Sequence, residues 1–232
     1  MQGRTAYGGA SAALAFEAAR CSAPDLPPLR SAQVSFVGPL GGALEASATL
    51  LRRGRNAAFV QADVVGEAGL GLRATFVFMG ALDSHVDHDD AAAPPVPPPE
   101  AAPVTHLSAA PGFTRNFDLA FAQGKDGPRA PDILRWARVK DRDGLHPMTE
   151  IMLVGDALPP AAMMLFERQG PISSMTWMVN LLTAEPRTRD GWWLLRASAN
   201  YAKNGCSSQV MGVWSRDGAP AANGMQSVAL FV

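Results

Sequence analysis

Thr5-Ala6-Tyr7-Gly8-Gly9-Ala10-Ser11-Ala12-Ala13-Leu14-Ala15-Phe16-Glu17-Ala18-Ala19-Arg20 reads as a glycine-led turn running into a helix of small residues. Alanine and leucine are strong helix formers, and Gly8-Gly9 give the turn freedom in φ with no side chain to block a ligand. Small side chains also let a surrounding sheet come close. The first N–H groups of a helix have no intrahelical partner and carry partial positive charge, which suits them to stabilise an approaching carbonyl oxygen. The bland alternative is a strand end followed by a buried alanine-rich helix.

The chain of 232 residues is long enough for one large domain or two ordinary ones, and 47% hydrophobic composition supplies a core. Lys plus Arg (20) nearly balances Asp plus Glu (21), so no global basic field points to nucleic acid or an anionic membrane. Cys21 and Cys206 match neither a disulfide framework nor a zinc spacing. They fit a reducing compartment and are expected to be small buried hydrophobes. The N-terminus lacks a basic region followed by an apolar core, and the best apolar run, Ile151 to Leu165, contains Asp156 and Pro159-Pro160. The expectation is a soluble cytoplasmic protein that neither is secreted nor spans a membrane.

Outward from the helix, alternation predicts strands at Ala32 to Phe36, from Leu44 through Leu51, at Ala58 to Val64 and at Leu72 to Phe78, with turns at Arg52-Arg53-Gly54-Arg55-Asn56 and Gly66 to Gly71. Asp83 to Asp90 is acidic and contains His85 and His88; Ala91 to Pro103 is dominated by alanine and proline, the composition of an extended linker crossing the surface between two units. A metal site drawn from His85, Asp87, His88, Asp89 and Asp90 is weighed against ordinary solvated side chains, and the second reading is preferred; no metal is expected. Beyond the linker, strands are predicted at Phe113 to Ala122 and Ile133 to Lys140. A helix-like stretch follows from Met148 to Met164, interrupted at Pro159. Four more strands are expected at Ser174 to Leu182, Trp192 to Tyr201, Ser207 to Trp214 and Met225 to Phe231.

The second half repeats the first. Ser31 to Phe36 lies over Ser174 to Val179, the Arg53-Gly54 turn over Lys203-Asn204, and Gly71-Leu72-Arg73 over Gly224-Met225-Gln226. A helix that cannot bury its surface alone, enclosed by a curved antiparallel sheet and present twice, implies two similar units with joined sheets.

Gln2 to Gly9, the strand Leu29 to Pro39, the hairpin Leu51 to Asp63 and the ending Gly224 to Ala229 resemble the bacterial acyl-CoA thioesterase II family across nearly the whole chain. The resemblance implies an α+β double hotdog fold, with an N-terminal hotdog at 1–83, a linker at 84–104 and a C-terminal hotdog at 105–232. It further implies hydrolysis of acyl-CoA by direct water attack, with no cofactor, and places that activity in fatty acid metabolism. A homodimer of double hotdog chains is expected because open sheet edges invite pairing.

In that family a carboxylate, a hydroxyl and a glutamine hold the attacking water. The glutamine carries over to Gln226. The carboxylate position falls on Thr176 and the hydroxyl position near Asn200 or Tyr201, with Asn200 preferred. Tyr7, Gly8 and Gly9 are expected to bind substrate, the two glycine amides facing the thioester oxygen. A threonine hydroxyl cannot take a proton from water near neutral pH as a carboxylate can, and loss of a general base costs about a hundredfold to ten-thousandfold in rate. The rival reading is therefore a non-catalytic acyl-CoA or fatty-acyl binding protein. A carboxylate such as Asp63, Asp118 or Asp156 reaching Gln226 would favour hydrolysis. A third reading, a dehydratase, requires a paired histidine and carboxylate in the pocket, and the sequence offers no such pair at a convincing place. Arg52, Arg53 and Arg55 are weighed as phosphate contacts, His146 as a base or a cap, and Met152, Met163, Met164, Met178 and Trp177 as an acyl tunnel or core.

Overall fold

The computed structural model describes residues 5–102, 104, 111–122 and 130–232. Gln2-Gly3-Arg4, which carry part of the family resemblance, and 105–110, the expected beginning of the second unit, lie outside the described residues.

The alanine-rich stretch forms helix α1, Gly8–Arg20, and its side chains are buried almost all round: Ser11, Ala12, Ala13, Ala15, Phe16 and Ala19 are all enclosed. Arg20 in the last turn opposes the negative end of the helix dipole and bonds to Glu17 one turn back. Strands β1 (Leu29–Phe36), β2 (Glu45–Arg53), β3 (Ala57–Gly66) and β4 (Gly69–Met79) follow, then β5 (Phe117–Phe121) and β6 (Asp132–Val139). Helix α2 spans Pro147–Gly155, and β7 (Ile172–Leu181), β8 (Trp193–Lys203), β9 (Cys206–Ser215) and β10 (Pro220–Leu230) complete the chain.

The ten strands among the described residues make one antiparallel sheet in the order β2-β3-β4-β1-β7-β10-β9-β8-β6-β5. The halves join where β1 pairs with β7, from Ser31 opposite Asn180 to Ser35 opposite Thr176. Both helices pack on the same inner face and against each other, with α1 over β2, β3 and β4. The main core lies between them and the sheet.

The repeat needs one adjustment. Arg73, set over Gln226 by sequence, points to the outer face and pairs with Asp63 at 2.6 Å, whereas Gln226 is buried on the inner face. The inner cross-strand pairs of β3 and β4 are Ala58/Phe78, Val60/Phe76, Ala62/Ala74 and Val64/Leu72, all apolar. The corresponding hairpin of the second half carries Gln209 opposite Gln226, both buried. A one-residue shift in a strand exchanges its faces, which is why a match of turns alone misplaced the glutamine's counterpart.

The stretch Met148 to Met164 is not one interrupted helix: α2 ends at Gly155, Asp156 caps it, and a separate 3-10 turn covers Ala161–Leu165. Pro159 and Pro160 offer no N–H donors, and Gly155 lies so close to Trp177 that an added Cβ would be 3.1 Å from the indole. Phe113 belongs to a 3-10 turn, Gly112–Asn116, rather than a strand, because its ring stacks on Tyr7. Cys21 and Cys206 are exposed, one just past the end of α1 and the other beside the β8-β9 turn, both outside the packed layers.

The linker, finally, does more than cross between units. Residues 91–102 lie on the outer face of the second half, where Ala93, Val96 and Ala102 pack on Trp136, Trp192 and Trp214. The Trp136 indole donates to the Pro97 carbonyl at 2.9 Å and the Trp214 indole to the Ala91 carbonyl at 2.6 Å. Proline-rich backbone has carbonyls to spare, and tryptophan buries a large ring while keeping one donor for them.

Candidate active site

The end of α2 and the start of α1 face each other. Tyr7, the residue before α1, donates its hydroxyl to the Leu153 carbonyl at 2.7 Å, taking up one of the last carbonyls of α2 that no helical N–H can reach. Its ring stacks on Phe113 with centroids 4.2 Å apart and meets Phe117 edge-on. Burial, and then the charge of Asp156, hold the Tyr7 hydroxyl well above the ordinary tyrosine pKa, so it stays a proton donor. Gly9 has to be glycine for this ring to fold back, since a Cβ there would lie 2.6 Å from the Tyr7 oxygen.

This clasp sets Asp156 against the N-terminus of α1. The Asp156 carboxylate accepts the Gly9 backbone N–H and, through Oδ1, the Gln226 side-chain amide at 2.6 Å. Oδ2 lies where a side chain on Gly8 would intrude, 2.6 Å from an added Cβ. Behind Asp156 the amides form a directed relay: Ala161 N–H donates to Gln209 Oε1 at 2.9 Å, Gln209 Nε2 to Gln226 Oε1 at 2.8 Å, and Gln226 Nε2 to Asp156. Each link fixes which end of the next amide faces forward, so Gln226 presents N–H groups and not its oxygen to the carboxylate. Burial raises the Asp156 pKa from 3.8 to about 7, against the opposing pull of the Gln226 and Gly9 hydrogen bonds.

Asp156 opens onto a cavity of about 1140 Å³ whose walls include Tyr7, Gly8, Phe36, Phe113, Leu158 and Met163. Arg135 and Ser174 line it as well. Of the residues the sequence singles out, Gln226, Tyr7, Gly8 and Gly9 converge on Asp156. Thr176 and Asn200 do not reach Asp156: both are exposed, Thr176 lining a separate small groove of about 330 Å³ that Gln226 also borders, with Met178 and Ser227, and Asn200 lying at the bulge between Ala199 and Tyr201. Asp156 is the carboxylate of the three weighed that reaches Gln226. Asp63 and Asp118 are held by Arg73 and Arg138. Gln209 and Ser174 had no sequence signal beyond their places in strands.

The remaining candidates scatter. His146 caps α2 by accepting the Met148 N–H, and it is absent from the cavity wall. Arg53 is bound to the Pro24 and Asp25 carbonyls. Met163 lines the cavity, Met152 and Trp177 are core, and Met178 faces outward.

Residues 1–79 match the family model of the acyl-CoA thioesterase N-terminal domain, and residues 88–230 match that of the C-terminal domain. The chain belongs to the acyl-CoA thioesterase family. No curated protein matches its sequence. Among solved structures, it is similar to a hot dog fold protein of unknown function from Alicyclobacillus acidocaldarius, with TM-score 0.87 and 24% identity over 99% of this chain and 88% of that one. An acyl-CoA thioesterase II from Mycobacterium marinum aligns with TM-score 0.77 and 20% identity, covering 96% of this chain and 88% of the other. The tesB protein of Mycobacterium avium subs paratuberculosis gives 0.78 and 16%, covering 99% and 89%. These likenesses establish the α+β double hotdog fold. No described helix of this thioesterase-family chain is long and apolar enough to cross a membrane.

Proposed function

We propose that the protein hydrolyses an acyl-CoA to a free acid and CoA by direct attack of water, with Asp156 as general base. The single observation that carries this reading is the junction of a carboxylate, a directed amide relay and a helix N-terminus at the wall of one cavity. A base is most effective when its pKa lies near the working pH, and burial brings Asp156 to about 7.

In this mechanism the ionised Asp156 takes a proton from water as the oxygen adds to the thioester carbon. The carbonyl oxygen becomes an oxyanion beside Gly8, the first residue of α1, whose N–H has no intrahelical acceptor. Collapse of the tetrahedral intermediate breaks the carbon–sulfur bond, and the proton held by Asp156 passes to the departing sulfur. Gly9 differs from Gly8 in that its N–H is already given to Asp156, so it holds the base rather than the oxyanion. Gln226 is a positioning residue, and Ser174 on the cavity wall supplies the hydroxyl for the water. Neither Thr176 nor Asn200 has a part. The chemistry belongs to the second of the two proposed units, 105–232, with the first, 1–83, lending the N-terminus of α1. A homodimer is the proposed assembly, supported by the outer edges of β2 and β5, which pair with no described strand.

The test is thiol release from acyl-CoA of several chain lengths by the parent, Asp156→Asn and Gln226→Ala. Turnover by the parent that drops about a hundredfold to ten-thousandfold in Asp156→Asn is the expected result. No release by the parent, with acyl-CoA still bound, would leave a binding protein.

A further inference from the structure

Arg135 is a charge in an apolar position. On β6 it shares the inner face with Ile133, Ala137 and Val139, all members of the main core, and its partner across β8 is the buried Leu195. Its guanidinium lies over the ring of Phe121, directly opposite on β5, with Cζ 4.9 Å from the centroid. Among the described residues no carboxylate pairs with it, in contrast to Arg73, Arg138, Arg196 and Arg216, each of which holds one. Burial alone lowers its pKa from the ordinary arginine value. Arginine nonetheless stays charged at any working pH. A cation held on a core face without an anion is costly, and the cost is removed when a ligand brings the anion.

Arg135 lines the same cavity as Asp156. The other charged side chains on its wall are Glu167 and Arg168, both exposed. Resting on the thioesterase reading of this cavity, we propose that Arg135 is a specificity residue that pairs with a second anionic group of the substrate, so that the site selects a thioester charged at a distance from the reacting carbon. A carboxylate ending the acyl chain and a phosphate of CoA offer the same pair of oxygens to a guanidinium fork. The inner-face position between Phe121 and the core favours the acyl carboxylate, whereas the exposed Arg168 is suited to the solvated phosphates.

The experiment compares a six-carbon acyl group ending in methyl with one ending in carboxylate, each as the CoA thioester and as the N-acetylcysteamine thioester, which has no phosphate. Parent, Arg135→Met and Arg135→Lys are assayed for kcat/KM and, by calorimetry, for binding. The parent is expected to favour the carboxylate-ended substrate by about tenfold to a hundredfold, the range of one charge-assisted pair. Collapse of that ratio in Arg135→Met on both carriers, with partial retention in Arg135→Lys, supports the proposal and assigns the anion to the acyl end. Collapse of the CoA to N-acetylcysteamine ratio instead supports it and assigns the anion to phosphate. Ratios unchanged by Arg135→Met overturn it. If the parent binds these thioesters but cleaves none, the hydrolytic reading fails by itself, and the same ratios taken from dissociation constants still decide for or against Arg135.

Discussion

At the scale of single residues, Asp156 accounts for most of what can be measured. A base with a pKa of about 7 gives kcat/KM that rises with pH through that value and flattens above it. Breaking the amide relay should move this inflection. Gln209→Leu keeps the volume approximately but leaves Gln226 free to turn its oxygen toward Asp156, so the pH profile is expected to shift upward and kcat to fall, while a merely structural loss would lower the amplitude without moving the midpoint. Gly8→Ala is a second test. Its Cβ would stand 2.6 Å from Asp156 Oδ2, so the carboxylate has to move off the cavity wall, and activity should fall by about tenfold or more in a protein whose circular dichroism is unchanged.

At the scale of elements, the site depends on two helix ends held face to face. Tyr7→Phe removes the hydroxyl that closes α2 at Leu153 and is expected to cost about 1 kcal/mol in urea unfolding, with a further loss in kcat because Gly8 and Asp156 lose their common anchor. The linker is the element to alter without touching the chemistry. Trp136→Ala opens a space under Pro97 on the outer face and should cost roughly 3–5 kcal/mol of stability. The kcat of the folded protein should stay near the parent's, since this residue lies across the sheet from the cavity.

At the scale of the whole molecule, the buried carboxylate ties stability to pH. Its folded pKa is raised, so between pH 3.8 and about 7 the unfolded chain has released a proton that the folded one retains. Stability contributed by Asp156 is therefore greatest below pH 3.8, declines as pH rises to about 7, and is level above that. Asp156→Asn should flatten this slope in urea titrations run across roughly pH 5 to 8, and a slope equal to the parent's would deny the shifted pKa. Among the described residues the two halves of the sheet also differ: the inner cross-strand pairs of β3 and β4 are apolar, whereas β9 and β10 bring Gln209 opposite Gln226.

Local periodicity determined a good deal of this. The alternation of strands, the glycine-led helix and the similarity of the two halves are short-range patterns, because strand and helix faces repeat every two and every 3.6 residues or so. Gln226 and the Tyr7-Gly8-Gly9 turn each lie in a short motif, and the structure sets them beside Asp156. Asp156 was visible as a candidate, but nothing local distinguished it from Asp63 or Asp118. Its selection required the tertiary fold, which carries the end of α2 to the start of α1 and buries the carboxylate beside an amide 70 residues away in sequence. Thr176 and Asn200 look reasonable in a linear match, yet the pleat of β7 and the bulge of β8 turn them to solvent. The charge of Arg135 was likewise plain in the sequence. That it sits on an inner face, over Phe121 and toward the cavity, was decided by strand pairing across the sheet.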